Sequence, residues 1–392
     1  MKEYAKRTLL YVHDGRQFID KDGTIYGSLT DMIFPLKERY KHLAPNIKFA
    51  QRVVPLKDEN KGKYVVLKDY GIDIVPIPEI TSVKGIFCNR KKAKQVLTEA
   101  IQNSDMLVLR NSTNAALAQI IANKYKKPYI FEVVSCNWDA LWNYSIKGKI
   151  YAPYAFLRMK YNVAISQYAI YVTKIFLQRR YPNRHTNAGI SDVMISPVTN
   201  ELLDMKIARL KDDKQPIILT TCAAIDVKYK GQEYIIRAIA RLKDKYNIEY
   251  HLAGGGSKDY LQKVAEECGI SDKVVFEGLL SKDKVNELLD RTTIYCQPSK
   301  QEGLPRAVVE AMSRGCVCIG SKTGGIPELL DSGMIAGKGD VKGFMQLLNT
   351  LLNDRNLIIE QSLKNFHKAK EYYAEKLNAE RNAFYDLFIN EN

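Results

Sequence analysis

Pro298-Ser-Lys-Gln-Glu302-Gly-Leu-Pro305-Arg-Ala-Val-Val-Glu310-Ala-Met-Ser-Arg-Gly315 reads as the loop and helix that follow a strand, Thr293-Ile-Tyr-Cys-Gln297. Pro305 suits a helix start, where its missing N–H would be unpaired in any case. Gly315 suits the left-handed conformation just past a helix end. Leu304, Val308, Ala311 and Met312 fall at i, i+4, i+7 and i+8, one apolar stripe of a helix. Glu310 lies off that stripe. Glu302 sits just ahead of the helix, where free N–H groups and the helix dipole favour anions.

Glu302 and Glu310 bracket the helix start and are placed for distinct jobs. Glu302 can accept hydrogen bonds from hydroxyls bound beside the helix end, and Glu310 can reach a second pair of hydroxyls. Between them the N–H groups of Gly303, Leu304 and Arg306 can face a phosphate. That set suits a nucleotide-sugar. The same spacing equally fits a wet helix face with Glu310 paired to Arg306 or Arg314, worth a few tenths of a kcal/mol.

The order Ser299, Glu302-Gly303, Pro305, Glu310-Ala311 and Gly315 resembles the Glu-x7-Glu motif of the retaining GT-B glycosyltransferases, the "group 1" family, and the similarity runs from about Pro216 to Gly339. The resemblance implies an α/β fold of two Rossmann-like domains facing across a cleft. Residues 1–197 would bind the acceptor and residues 198–370 the nucleotide-sugar, with part of 370–392 crossing back onto the first domain. It implies a hexosyltransferase that retains anomeric configuration and needs neither metal nor cofactor. A UDP- or GDP-linked sugar is the substrate, and its β-phosphate serves as the base for the acceptor hydroxyl.

Composition sets wider bounds. The chain has 392 residues, 46% hydrophobic and 26% charged, enough for two domains with full cores. No apolar run approaches a membrane span. The first residues, through Thr8-Leu-Leu-Tyr-Val-His13, read as a first strand rather than a signal peptide. Seven cysteines, an odd number with no C-x-x-C pair, fit a reduced cytoplasmic compartment and no zinc site. The net charge is +15, and all of it lies in the first half. Residues 1–196 hold 31 Lys and Arg against 16 Asp and Glu; the remaining residues hold 28 of each, out of 59 and 44. Such asymmetry suggests an anionic membrane surface, a nucleic acid or an acidic substrate. The resemblance favours peripheral attachment to the inner face of the plasma membrane, where an acceptor in bacterial surface-polysaccharide assembly (capsule, exopolysaccharide or lipopolysaccharide) would be lipid-linked. Lys91, Lys92, Lys94 and the stretch Lys147 to Lys160 are the expected contacts.

The first half alternates strand and helix, which argues for a parallel doubly wound sheet. The expected strands are Thr8–Val12, Lys48–Val54, Ile72–Ile77, Met106–Leu109, Pro128–Val134, Ile170–Val172 and Val193–Ile195. Helices are expected over Leu29–Tyr40, Arg90–Asn103 and Ala115–Tyr125, and a glycine-bearing loop over Asp14–Ser28. The second half repeats the pattern and ends in one long helix from Leu363 to Phe388.

Ligands of such sheets bind beyond the carboxyl ends of strands. That rule selects His13, Arg52, Arg110 and Asn111 as acceptor contacts, together with Trp138 in the stretch Glu132 to Trp142. Trp138 and Trp142 at i, i+4 fit simple packing as well. Gly254-Gly-Gly256 lacks full G-x-G-x-x-G spacing and reads first as a tight strand-to-helix turn. The remaining roles come from the resemblance. Gly254 and Gly255 would line the nucleotide side of the cleft. Lys230 would hold the donor diphosphate. The family's second cation, an Arg five residues earlier, falls here on Ile225, and Lys228 is the candidate substitute. Gly324 and Gly325 match a glycine turn whose N–H groups approach the donor, and Leu280 lies where the backbone meets the base. Asp139 stands near where many members carry a His, so Glu302, Lys230 and Asp139 form the expected catalytic set. Two rivals remain on the sequence: a GT-B epimerase or phosphorylase, and a basic nucleic-acid-binding protein. The second has no recognisable binding motif.

Overall fold

The chain builds two sheets, seen in a computed structural model that describes residues 4–29, 33–212 and 214–392. The first holds β1 (Thr8–Ile19), β2 (Ile25–Gly27), β3 (Asn46–Pro55), β4 (Val65–Val66), β5 (Asp73–Ile77), β6 (Met106–Arg110), β7 (Tyr129–Val133), β8 (Tyr168–Tyr171) and β9 (Thr186–Gly189). Its parallel part runs β5-β3-β1-β6-β7-β8-β9. The second holds β10 (Ile217–Cys222), β11 (Ile248–Ala253), β12 (Val274–Gly278), β13 (Ile294–Gln297), β14 (Val317–Ser321) and β15 (Ile335–Ala336). It is parallel in the order β12-β11-β10-β13-β14-β15. Helices cover both faces, so β7, β8, β13 and β14 are buried along their whole length. Each sheet reverses its order beside its first strand, between β1 and β6 and between β10 and β13. The loops that leave those pairs diverge and open a crevice. This is the GT-B arrangement.

Most expected elements are present, with shifted ends. The helix expected from Arg90 begins at Val83, because Ser82 caps it by accepting the Gly85 N–H. Ser112, Ser281, Asp340 and Asp354 cap four more helices in the same way. The helix expected over Leu29–Tyr40 is Ile33–Tyr40; Thr30–Met32 lie outside the described residues.

Three expectations are corrected. The supposed loop Asp14–Ser28 is mostly strand: β1 continues past a bulge between Val12 and Arg16 and folds back antiparallel onto β2. Asp20 closes that turn by accepting the N–H groups of Asp22 and Thr24 at 3.1 and 2.9 Å. Val193–Ile195 is no strand; Ile195 makes a single bridge to Tyr373. That bridge also breaks the supposed last helix. Ile195 donates its N–H to the Tyr372 carbonyl and accepts from the Ala374 N–H, which leaves two helices, Arg355–Ala369 and Ala374–Glu391. The second crosses back as the family resemblance implies. Its Phe388 ring lies 5.0 Å from that of Tyr168, and Arg381 donates to the Ser191 carbonyl at 2.6 Å.

Candidate active site

Loops leaving the carboxyl ends of β10, β13 and β14 converge at the second switch point. Lys230, after β10, places Nζ 2.8 Å from Oε1 of Glu302, after β13. Gln297 Nε2 donates to the same oxygen at 3.0 Å. Gln297 is held in turn by the Tyr295 hydroxyl at 2.9 Å and donates to Ser299 Oγ at 2.9 Å. One oxygen of Glu302 is thus fixed from two sides, and the other has no protein donor among the described residues. Gln297 was not singled out in the sequence; the signal was a polar residue closing an otherwise apolar strand.

Glycines bring these loops together. Gly324 has φ +56, and a Cβ there would stand 2.3 Å from the Glu302 carbonyl oxygen. Gly325 donates its N–H to the Gly303 carbonyl at 2.6 Å. A Cβ on Gly303 would come within 2.5 Å of the Val134 carbonyl oxygen, so the motif loop touches the backbone of the first domain. Leu304 packs partly buried beside it. Gly254 and Gly255 form the tight turn, with the Gly254 N–H on the Gly278 carbonyl and the Gly255 carbonyl accepting from Ile225. Leu280, just past β12, is half-buried.

Glu310 lies one turn into helix Arg306–Ser313. It is half-buried and its carboxylate has no hydrogen-bond partner among the described residues. The alternative of a surface ion pair does not hold: Arg314 bonds Asp290 through two nitrogens instead, and Arg306 acts on Glu310 only at longer range. Burial raises the Glu310 pKa against the opposing pull of Arg306 and Lys282. Its charge also reaches the end of β10, where burial and then Glu310 push the Cys222 thiol up to about 12. A desolvated, unpartnered carboxylate is costly unless something supplies hydrogen bonds.

The missing second cation is explained in part. Ile225 is buried in the core and leaves no room for one. Lys228 does not replace it at Glu302. Its Nζ sits 4.6 Å from the Tyr260 ring centre, and it lines a separate 340 Å³ cavity with Lys149 and Lys300.

Across the cleft, Asp139 stands in helix Asn137–Trp142 with Oδ1 3.8 Å from Arg180 and 4.0 Å from Lys338 of the second domain. Glu328 crosses the other way. It accepts the N–H groups of Lys174, Ile175 and Phe176 at 2.6, 3.2 and 2.6 Å, capping a helix of the first domain. Between these contacts a 610 Å³ cavity is lined by Arg179, Arg180, Lys322, Gly324 and Glu328. The interdomain roles of Arg180 and Lys338 left no trace in spacing, because they bring together the end of helix Phe176–Arg180 and a remote loop of the second domain.

The expected acceptor residues divide. Arg110 is mostly buried, ion-paired to Glu132 at 3.3 Å and Asp192 at 2.8 Å. Asn111 is held by its neighbours: its side chain accepts the Val134 N–H and donates to Ser135 and Asn137. Trp138 takes the packing alternative, stacked on Trp142 with centroids 5.2 Å apart and edge-on to Phe156. Arg52 bonds Thr81 at 3.0 Å, and His13 lies in β1, 6.2 Å from the Tyr11 ring.

The pattern of the family described as "Glycosyl transferases group 1" matches residues 204–372. Protein CapJ of Staphylococcus aureus is 30% identical over 381 residues, covering 95% of this chain and 93% of its own length. The chain belongs to the group 1 glycosyltransferase family. Within that family, the amylovoran biosynthesis glycosyltransferase AmsK of Erwinia amylovora is 31% identical over 145 residues, 34% of this chain and 35% of AmsK. The crystal structure of Anabaena Alr3699/HepE in complex with UDP superposes with a TM-score of 0.69 at 13% identity, covering 98% and 100% of the two chains. This likeness of fold covers both domains of the glycosyltransferase. No described helix is long and apolar enough to cross a membrane.

Proposed function

We propose that the protein transfers a hexose, with retention and without a metal, from a nucleotide-sugar to a glycan or lipid-linked acceptor in bacterial polysaccharide assembly. The observation that carries the donor site is Glu310, desolvated and unpartnered one turn beyond the Lys230–Glu302 pair. A ribose would supply the two hydroxyl donors it lacks. Lys230 would take up leaving-group charge, and the free oxygen of Glu302 would meet a sugar hydroxyl. Gly303, Leu304, Gly324 and Gly325 would offer backbone to the donor, and Gly255 and Leu280 would border its base. Asp139, at the domain interface, would face the acceptor side. AmsK, a biosynthesis glycosyltransferase for amylovoran, supports the polysaccharide setting, and HepE, bound to UDP, supports a uridine nucleotide.

Thermal-shift screening against UDP- and GDP-sugars tests the reading. A true donor at a hundred times its Kd should stabilise the protein by about 2.7 kcal/mol, and the anomeric configuration of the product then decides retention. No shift with any nucleotide-sugar would reject the assignment.

Glu310 gives a second test through pH. A carboxyl pKa raised by folding means the folded state binds more protons between 4.5 and the raised value. Stability from this group therefore falls as pH rises through that window. Donor affinity, which needs the charged acceptor, rises through the same window. Glu310→Gln is expected to remove both trends. It should leave the apo protein at least as stable at neutral pH and weaken donor binding about ten- to a hundredfold. Unchanged donor affinity across pH in this variant would remove Glu310 from the site.

A further inference from the structure

Helix Ile146–Ala164 begins at its Ser145 cap and contains no acidic residue. Ile146, Ile150, Tyr154, Leu157 and Tyr161 recur at i, i+4, i+8, i+11 and i+15 and so share one face. Such a face normally packs on a core, yet these five residues are between 55% and 79% exposed. Ala152, Ala155, Met159 and Val163 are the ones that face the core. Lys147, Lys149, Arg158 and Lys160 border the exposed stripe. An apolar stripe edged by cations, with no anion among them, complements an anionic bilayer surface.

Beneath this helix two cavities share Thr113, Ala116, Arg158 and Asn162 as lining. The inner one, 330 Å³, lies at the switch point of the first sheet, between Asp14 and Thr113, and reaches Asn137, Ala140 and Leu141. The outer one, 300 Å³, opens among Ile86, Ile120, Tyr154 and Tyr161 beside the exposed stripe, with Arg90 at its wall. Arg158 lines both. It is half-buried and has neither hydrogen-bond nor ion-pair partner among the described residues. Asp14 lines the inner cavity as well but makes no hydrogen bond to Arg158; its two oxygens accept helix-start N–H groups, from Thr113 and Asn114 at 2.8 and 2.9 Å. A guanidinium with no hydrogen-bond or ion-pair partner among the described residues thus stands in the wall common to both cavities. The inner chamber ends on helix Asn137–Trp142, whose Asp139 borders the sugar-transfer cleft.

We propose that these two adjacent cavities hold the phosphate and adjoining apolar chain of a lipid-linked acceptor, with Arg158 on the phosphate, while helix Ile146–Ala164 lies on the bilayer that delivers it. The glycosyltransferase reading supplies what happens to that acceptor; binding itself is testable alone. Farnesyl phosphate is the probe, titrated calorimetrically into the full chain beside farnesol and inorganic phosphate. It should bind at least about tenfold more tightly than either comparison. Arg158→Gln should reduce it to the level of farnesol. Ile120→Asp, at an exposed position, should abolish binding by setting a carboxylate at the mouth. The thermal shift given by nucleotide-sugar should persist in both variants, so a failed donor assignment shows separately. Wild-type binding of farnesyl phosphate by Arg158→Gln overturns the proposal, as does inorganic phosphate binding as tightly as farnesyl phosphate. A water-soluble short-chain phosphatidylglycerol that displaces the probe at the concentration where farnesyl phosphate saturates would assign the site to bulk lipid and overturn the proposal equally.

Discussion

Lys230→Ala is expected to lower kcat roughly ten- to a thousandfold, the range for losing one preorganised charge contact to a developing anion. Lys228→Ala should do far less. The two lysines are two residues apart in one loop, but the fold sends them to different places: Lys230 to Glu302 at 2.8 Å, Lys228 to the Tyr260 ring. The Lys230–Glu302 pair is mostly buried, at 22% and 11% side-chain exposure. Removing one member therefore leaves the other poorly compensated. Glu302→Gln in the Lys230→Ala background should cost less than in the wild type, because the pair acts as one unit. Single-turnover rates with saturating donor check both claims, and thermal unfolding of each variant separates lost chemistry from lost fold. A larger loss in Lys228→Ala would mean that the donor phosphates bind at the 340 Å³ cavity instead.

The fold was largely readable because one signal repeats in both halves: apolar runs of strand length alternating with helical patterns. The motif Glu302 to Gly315 was readable for a further reason. Its residues act through local geometry, so spacing alone places them around a helix start. The first domain was not readable in the same way. Arg110 follows an apolar strand and reads as a cleft residue, yet its partners Glu132 and Asp192 come from 22 and 82 positions away. Helix Ile146–Ala164 was missed as a helix because Pro153 interrupts its pattern and its apolar face is turned outward, so no polar face marks its outer side. The break between Ala369 and Ala374 depends on a single bridge to Ile195, a pairing no local pattern contains.

Lys206 gives the largest expected effect on stability, and nothing in the sequence marks it. It lies in helix Asn200–Lys211 and reads there as one more surface lysine. Instead it is buried, and its ammonium donates to the carbonyls of Leu289, Asp290 and Thr292 at 2.7, 2.9 and 2.6 Å. Those carbonyls end helix Lys282–Arg291, where the last turn lacks intrahelical donors and a cation suits the dipole. Burial lowers the lysine pKa, so keeping it charged already costs part of what the three bonds return. Lys206→Met keeps the apolar stem but leaves the buried Thr292 carbonyl without this donor, whereas the Leu289 carbonyl keeps the Thr292 N–H and the Cys316 thiol. At about 1–3 kcal/mol for such a group the loss is about 1–3 kcal/mol, the Asp290 carbonyl being only part-buried. A domain of this size should then unfold at a temperature lower by roughly 2–4 °C per kcal/mol. Lys206 also touches Gly315, at the end of the motif helix, where a Cβ would stand 3.1 Å from Lys206 Cγ. The contact is with the far end of that helix, away from Glu302. Well below the transition, kcat/KM should therefore stay near the wild-type value while the unfolding midpoint drops. If kcat/KM falls with no change in midpoint, the lysine acts on the donor site rather than on the fold.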